Sequence, residues 1–148
     1  MKTAEQWVCK AVAKNDIREW VNYLYAHDGY LYGTDGHMMH RVKTTLINGY
    51  YNPLTMLPAP HITRNCPIID KIEYFFPSIS HGDVVGIDEA SETQQTSRLS
   101  LKWSCSVYSF DHKKVMTSIN NDVAVKLHID NDKLRGVSEF GQFIIMRH

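Results

Sequence analysis

The sequence predicts an α+β fold of two similar halves, each a short helix followed by antiparallel strands. Three observations carry this reading. Helical apolar spacing occurs twice, over Trp7 to Val12 and over Val115 to Ile119. Each helix is followed by the same order of elements: an Asn-Asp stop, a strand, an Asp-containing turn, a strand, a Gly-containing turn and a last strand. Between them lies a period-two alternation over Arg98 to Val107, the signature of a strand with one buried face.

The elements follow in chain order. Thr3 and Gln6 have capping-box spacing, and Trp7, Val8, Ala11 and Val12 then share one helical face. Asn15-Asp16 stops this helix. Trp20 to His27 reads as a strand, with Val21, Tyr23 and Tyr25 alternating against Asn22 and Leu24. His27-Asp28-Gly29 is a hairpin turn whose glycine is free to take positive φ. Tyr30 to Gly33 runs back, Thr34-Asp35-Gly36 turns, and His37 to Lys43 is a third strand. Residues 46 to 67 hold four of the five prolines and read as a long ordered loop or edge segment, not a regular element. Ile68 to Phe76 is apolar. Ser80 to Ser97 is an acidic loop with room for a short strand around Val84, Val85 and Ile87. Arg98 to Val107 is one strand. Asp111 caps a helix over His112 to Asn120, with Val115, Met116 and Ile119 inward and Lys113, Lys114 and Ser118 outward. Val123 to Ile129, Leu134 to Ser138 and Gln142 to Arg147 complete the strands. The halves are about residues 1–45 and 98–148 of a single domain, joined by the proline-rich segment and the acidic loop.

Composition narrows the function classes. At 148 residues, with 43% hydrophobic and 22% charged, the chain has the make-up of one globular domain. Sixteen basic residues balance sixteen acidic ones, which excludes bulk coating of duplex DNA by net charge but permits a local basic face. No apolar run reaches the roughly 20 residues that span a bilayer. The N-terminus lacks the apolar core of a signal peptide, so a cytoplasmic protein without membrane association is expected. Cys9, Cys66 and Cys105 form neither a CxxC pair nor a disulfide framework. There is no G-x-S-x-G, P-loop or H-E-x-x-H, so no catalytic residue is assigned, no cofactor is expected and the chain is read as not an enzyme. His37 and His40 lie three apart on a strand and so face opposite sides, poor joint metal ligands. His37 is instead expected to cap the Thr34-Asp35-Gly36 turn. Asp83, Asp88, Glu89 and Glu92 do not follow an EF-hand spacing, and no metal site is assigned.

Leu31-Tyr32-Gly33-Thr34-Asp35-Gly36-His37-Met38 resembles the L-x-A-T-D-G-H-R-L segment of the beta sliding clamp of bacterial DNA polymerase III. Phe143-Ile144-Ile145-Met146-Arg147 resembles the V-V-M-P-M-R at that family's C-terminus. The likeness extends over Trp7 to Val42 and Leu99 to Arg147 and is most specific at Thr34 to His37. Met38 stands where the family has arginine, and the terminal segment lacks the family's proline. The resemblance implies a sliding-clamp-like domain. A bacterial clamp chain holds three such domains, and this chain has room for one, so a ring would need several copies and a homo-oligomer is expected. A single-domain version resembles a phage or mobile-element protein, which would act in the host cytoplasm.

Clamp helices line the central hole, so the resemblance directs the outward basic residues Lys10, Lys14, Arg18, Lys113 and Lys114 at DNA phosphates. Lysine suits this as a mobile point charge needing no fixed geometry. Without the resemblance the same residues are an ordinary solvated helix face. Tyr23 and Tyr25 share one strand face and Tyr30 and Tyr32 share the next. Flanked by Arg18, Arg41, Lys43 and Arg64, they offer a platform on which unpaired bases stack, at about 1–3 kcal/mol per base. Core packing or a subunit interface uses tyrosine equally well. The leading expectation is a non-enzymatic DNA-binding accessory protein, favouring single-stranded over duplex DNA, in phage replication or transcription. One alternative is an oligomeric clamp enclosing duplex DNA as a processivity factor. The other is a protein-interaction module that binds or mimics a host clamp or a DNA or RNA polymerase, docking peptides in a hydrophobic pocket.

Overall fold

In a computed structural model the described residues are 3–62, 76, 86–88, 98–103, 106–119, 126–130 and 133–146. The first helix, α1 (Ala4–Cys9), opens on a capping box. Thr3 Oγ1 accepts from the N–H of Gln6 (3.2 Å), and Gln6 Oε1 accepts from the N–H of Thr3 (3.0 Å). Beyond Cys9 the coil tightens: Ala11 N–H reaches Val8 O and Val12 N–H reaches Cys9 O, both at 3.2 Å. The expected apolar face holds, since Trp7, Val8, Ala11 and Val12 are all buried.

The expected strand from Trp20 instead begins as a 3₁₀ turn (Glu19–Asn22) and becomes β1 only at Leu24–His27. The Asn22 side chain explains the difference. Its Oδ1 accepts from Asp16 N–H and its Nδ2 donates to Asp16 O, each at 2.9 Å, so this segment is tied to the preceding loop rather than to a neighbouring strand. Strands β2 (Tyr30–Thr34) and β3 (Met38–Lys43) follow. The β1–β2 hairpin turns on Asp28 (φ 49°) and Gly29 (φ 83°), the left-handed pair of a two-residue turn.

Two further expectations are corrected. The proline-rich segment contains a regular element, β4 (Gly49–Tyr51), which pairs with β1 at the sheet edge, where proline-flanked strands are tolerated. The alternation over Arg98 to Val107 belongs to two strands, β6 (Arg98–Trp103) and β7 (Ser106–Asp111), with Trp103 paired to Ser106. A hairpin preserves alternation through its turn, so periodicity alone does not reveal the reversal. A short β5 (Gly86–Asp88) pairs with β6 to complete a three-stranded sheet. The second helix, α2 (His112–Ile119), follows β7 directly, and β8 (Lys126–Asp130), β9 (Lys133–Val137) and β10 (Gln142–Met146) end the described chain. Of the apolar stretch Ile68 to Phe76 only Phe76 is described, and the expected Asn120-Asn121-Asp122 stop lies outside the described residues.

The large sheet is antiparallel in the order β4-β1-β2-β3-β10-β9-β8. Its middle seam joins the two ends of the chain, with Met39 opposite Ile144 and His40 opposite Phe143. Alternation along these strands builds two separate cores. Leu24, Leu31, Val42, Leu134, Phe143 and Ile145 face the helices and pack with Trp7, Val8, Val115 and Ile119. Tyr32, Met39 and Ile144 face the other way, beneath Phe76. α1 lies on β2 and β3, close enough that Val8 O stands 2.5 Å from where a Cβ on Gly33 would sit. No helix among the described residues is long and apolar enough to cross a membrane.

Candidate functional site

The Thr34-Asp35-Gly36-His37 turn is held by its own side chains. Thr34 Oγ1 donates to Met38 O (2.7 Å) and accepts from Gly36 N–H (3.0 Å). Asp35 Oδ1 accepts from the N–H of His37 (2.8 Å) and of Met38 (2.9 Å). The cap expected of His37 is therefore supplied by Asp35, because a carboxylate can accept from two backbone donors that an exposed imidazole at this position does not face. Gly36 adopts φ 94°, and a Cβ there would meet the Arg18 guanidinium at 2.8 Å.

Asp35 also reaches across the fold. Its Oδ2 forms an ion pair with Lys114 Nζ of α2, with each side chain about three-quarters buried. Burial pushes the Asp35 carboxyl up. The Lys114 ammonium and the two backbone donors outweigh it, and the group titrates below its ordinary value. Beside this pair, Lys10, Lys14 and Lys114 line one groove of about 620 Å³, with Asp35 and Met38 in its wall. Lys10 and Lys14 are exposed.

A buried polar network fixes the helices that border this groove. The His40 ring stacks on Trp7, with centroids 4.0 Å apart. His40 Nδ1 lies 3.0 Å from Trp7 O, and since a carbonyl only accepts, Nδ1 carries the proton. Nε2 lies 2.7 Å from the Ser118 hydroxyl, which also reaches Lys114 O at 2.9 Å, and Trp7 Nε1 donates to Ser118 O at 2.9 Å. Ser118, expected to point outward, is thus fully buried. It lies three residues after Val115 and one before Ile119, so helical spacing already placed it on the inward face. Burial pushes the His40 pKa down from 6.5 to about 4.

On the far side of the Asp35 turn lies a smaller, mainly apolar pocket of about 150 Å³, lined by Trp20, Thr34, His37, Met39, Ile144 and Met146 among others. It draws on both of the segments that resemble the clamp family. Nothing in the spacing of those segments, more than a hundred residues apart, shows that they meet; the pairing of β3 with β10 brings them together.

The other expected residues are distributed as follows. Arg18 is engaged by Asp16 (3.0 Å) and donates to Asp35 O (3.2 Å), at the rim of the apolar pocket rather than in the lysine groove. Tyr25 pairs with Tyr32 on the sheet face opposite the helices. Tyr32 is 5% exposed, covered by Phe76, and Tyr25 is half-buried beside Tyr50. Arg41 lies over the Tyr30 ring at 4.2 Å and over Phe76 at 4.5 Å. Lys43 is exposed, opposite Tyr30. Tyr23 hydrogen-bonds His61 through its hydroxyl (3.1 Å). Arg64 lies outside the described residues, as does the side chain of Lys113. Tyr25, Tyr30 and Tyr32 are consequently on the sheet face away from the lysine groove, whereas Tyr23 lines a second groove together with Lys14.

No protein-family model matches the chain, and no curated protein matches it by sequence. Its fold does match solved structures. The beta sliding clamp of C. crescentus, crystallised with polyethylene glycol bound to its putative beta-motif tethering region, is similar with a TM-score of 0.62. That similarity has 10% identity and covers 100% of this chain and 64% of the clamp. The DNA polymerase III beta subunit of Thermotoga maritima has a TM-score of 0.55 at 10% identity, covering 97% of this chain and 61% of the other. The chain therefore spans under two thirds of the clamps it resembles. The likeness establishes the fold: an α+β, sliding-clamp-like arrangement of antiparallel sheets and short helices.

Proposed function

We propose that this chain is a non-enzymatic, clamp-like accessory protein of DNA replication that meets the DNA backbone along the groove between α1 and α2. The observation that carries this reading is the convergence of Lys10, Lys14 and Lys114 on one groove from opposite ends of the sequence. A chain with no net charge needs such a local concentration to attract phosphates. On this reading the chain is one clamp-like domain of two similar halves and works as an oligomer. The base-stacking alternative has less to stand on, since Tyr32 is covered and the sheet face that carries Tyr25 and Tyr30 is not the one that carries the lysine groove.

The test is anisotropy of labelled single-stranded, linear duplex and closed circular DNA across a salt series. The comparison is the wild type against Lys10→Glu combined with Lys14→Glu, which leaves the Asp35–Lys114 pair in place. Loss of binding in the variant, with a salt slope shallower by about 2, supports the groove. Equal binding by variant and wild type, or no binding to any form, refutes it. A second reading, docking of a protein partner, is favoured by the apolar pocket that the Thr34–His37 turn and β10 form together.

A further inference from the structure

Resting on the reading of the lysine groove as the surface that meets DNA, we infer that Asp35 is a built-in competitor of the DNA backbone. Its carboxylate pairs with Lys114 in the place a phosphate would take, and so limits how tightly the groove binds.

Asp35 stands among cations. Of the described residues that line the groove it is the one acidic side chain, set with Lys10, Lys14 and Lys114. A negative charge at that place opposes the attraction of phosphates. The turn does not require it. Asp35 Oδ1 alone accepts from His37 N–H (2.8 Å) and from Met38 N–H (2.9 Å), and the oxygen of a neutral amide accepts the same two bonds. The charge and Oδ2 are left for Lys114.

The geometry also decides which member of the pair moves. Asp35 is fixed from several sides: by the two bonds to Oδ1, by Arg18 donating to its carbonyl (3.2 Å), and by Thr34 Oγ1, which ties Gly36 N–H (3.0 Å) to Met38 O (2.7 Å) across the turn. The Lys114 backbone is fixed as well. Its carbonyl is 2.9 Å from the hydroxyl of Ser118, one turn along α2, and Ser118 is itself buried against His40. What remains mobile is the Lys114 side chain, a flexible stem ending in an ammonium that needs no fixed geometry. It can leave a carboxylate oxygen for a phosphate oxygen while the turn and the helix stay as they are. That exchange trades one ion pair for another, so it gains less than a contact made by a lysine already in solvent. The groove thus presents Lys10 and Lys14 at the surface and keeps Lys114, largely buried against Asp35, in reserve.

The experiment is anisotropy of the same labelled DNA forms over a salt series, with the full chain as wild type, Asp35→Asn, Lys114→Met and the double variant. Circular dichroism checks each fold. Asp35→Ser, whose hydroxyl accepts the same kind of turn bond, replaces Asp35→Asn if the latter unfolds. Asp35→Asn should bind roughly threefold to tenfold more tightly at low salt, the worth of one partly buried ion pair that no longer has to be exchanged. Its salt slope should be steeper by about 1, because Lys114 now neutralises a phosphate. In the Lys114→Met background the same substitution should leave the slope unchanged. Asp35→Asn binding no more tightly than the wild type overturns the inference. So does tighter binding with no steeper slope, or with a slope that steepens equally without Lys114, since the carboxylate then only repels phosphates. Lys10→Glu combined with Lys14→Glu separates the two levels. If that variant loses binding while Asp35→Asn gains none, the groove stands and the competitor falls. If the wild type binds no DNA, both fall.

Discussion

Acid should destabilise this fold between about pH 6.5 and pH 4, and a buried imidazole is a cause. His40 is fully buried between Trp7 and Ser118, and burial lowers its pKa to about 4 from 6.5. The hydrogen bond to Trp7 O and the nearby Asp35 charge pull the value upward without prevailing, and Lys10 adds to the lowering. In the unfolded chain the same ring titrates near 6.5. Between these values the unfolded chain holds a proton that the folded chain refuses. Stability is therefore full above about pH 6.5 and is lost progressively as the pH falls toward 4. The gap is worth about 3 kcal/mol, against a total of about 5–15 kcal/mol for a typical domain. Urea unfolding at a series of pH values from about 7 to about 4.5 measures it, since most of the loss occurs there, above the range in which Asp35 begins to titrate. The reference is His40→Gln, which does not titrate and can still donate and accept a hydrogen bond. The wild type should lose most of the 3 kcal/mol relative to the variant. Parallel pH profiles for the two proteins would show that His40 is not the buried neutral base described above.

Two other substitutions probe the supports of the lysine groove. Gly33→Ala places a Cβ 2.5 Å from Val8 O and 3.0 Å from Val12 Cγ2, so α1 must shift away from the sheet. A cost of about 1–3 kcal/mol is expected in the urea midpoint, together with weaker DNA binding because Lys10 and Lys14 move with the helix. Asp35→Asn keeps an acceptor for His37 and Met38 while removing the charge opposite Lys114. It should cost about 1–2 kcal/mol, between the values for exposed and buried pairs. Its stability loss should be absent when Lys114 has already been changed to Met, and additive losses in that double-mutant cycle would deny the pair any energetic coupling.

The parts of this protein that the sequence by itself determined are those settled within a few residues. The Thr3–Gln6 capping box, the apolar stripe of α1, the Asp28-Gly29 turn and the Thr34–Gly36 turn each depend on neighbours, and each is where the residues indicate. The order of elements and two short motifs also identified a clamp-like fold. Local patterns fell short where a distant partner decides. Asn22 chose a loop contact over a strand, the alternation over Arg98 to Val107 ran through a hairpin, and Ser118 became a buried partner of His40. The site was less legible still. Alternation predicts that Tyr25 and Leu24 face opposite ways, but not that Phe76 covers Tyr32 or that α1 covers Leu24. Only the tertiary structure decided that β3 pairs with β10, that Asp35 meets Lys114, and that lysines from both ends of the chain share one groove. These contacts join residues about a hundred positions apart. Their formation depends on the apolar area buried when the two helices close over one sheet, a property of the assembled layers that no local window of sequence contains.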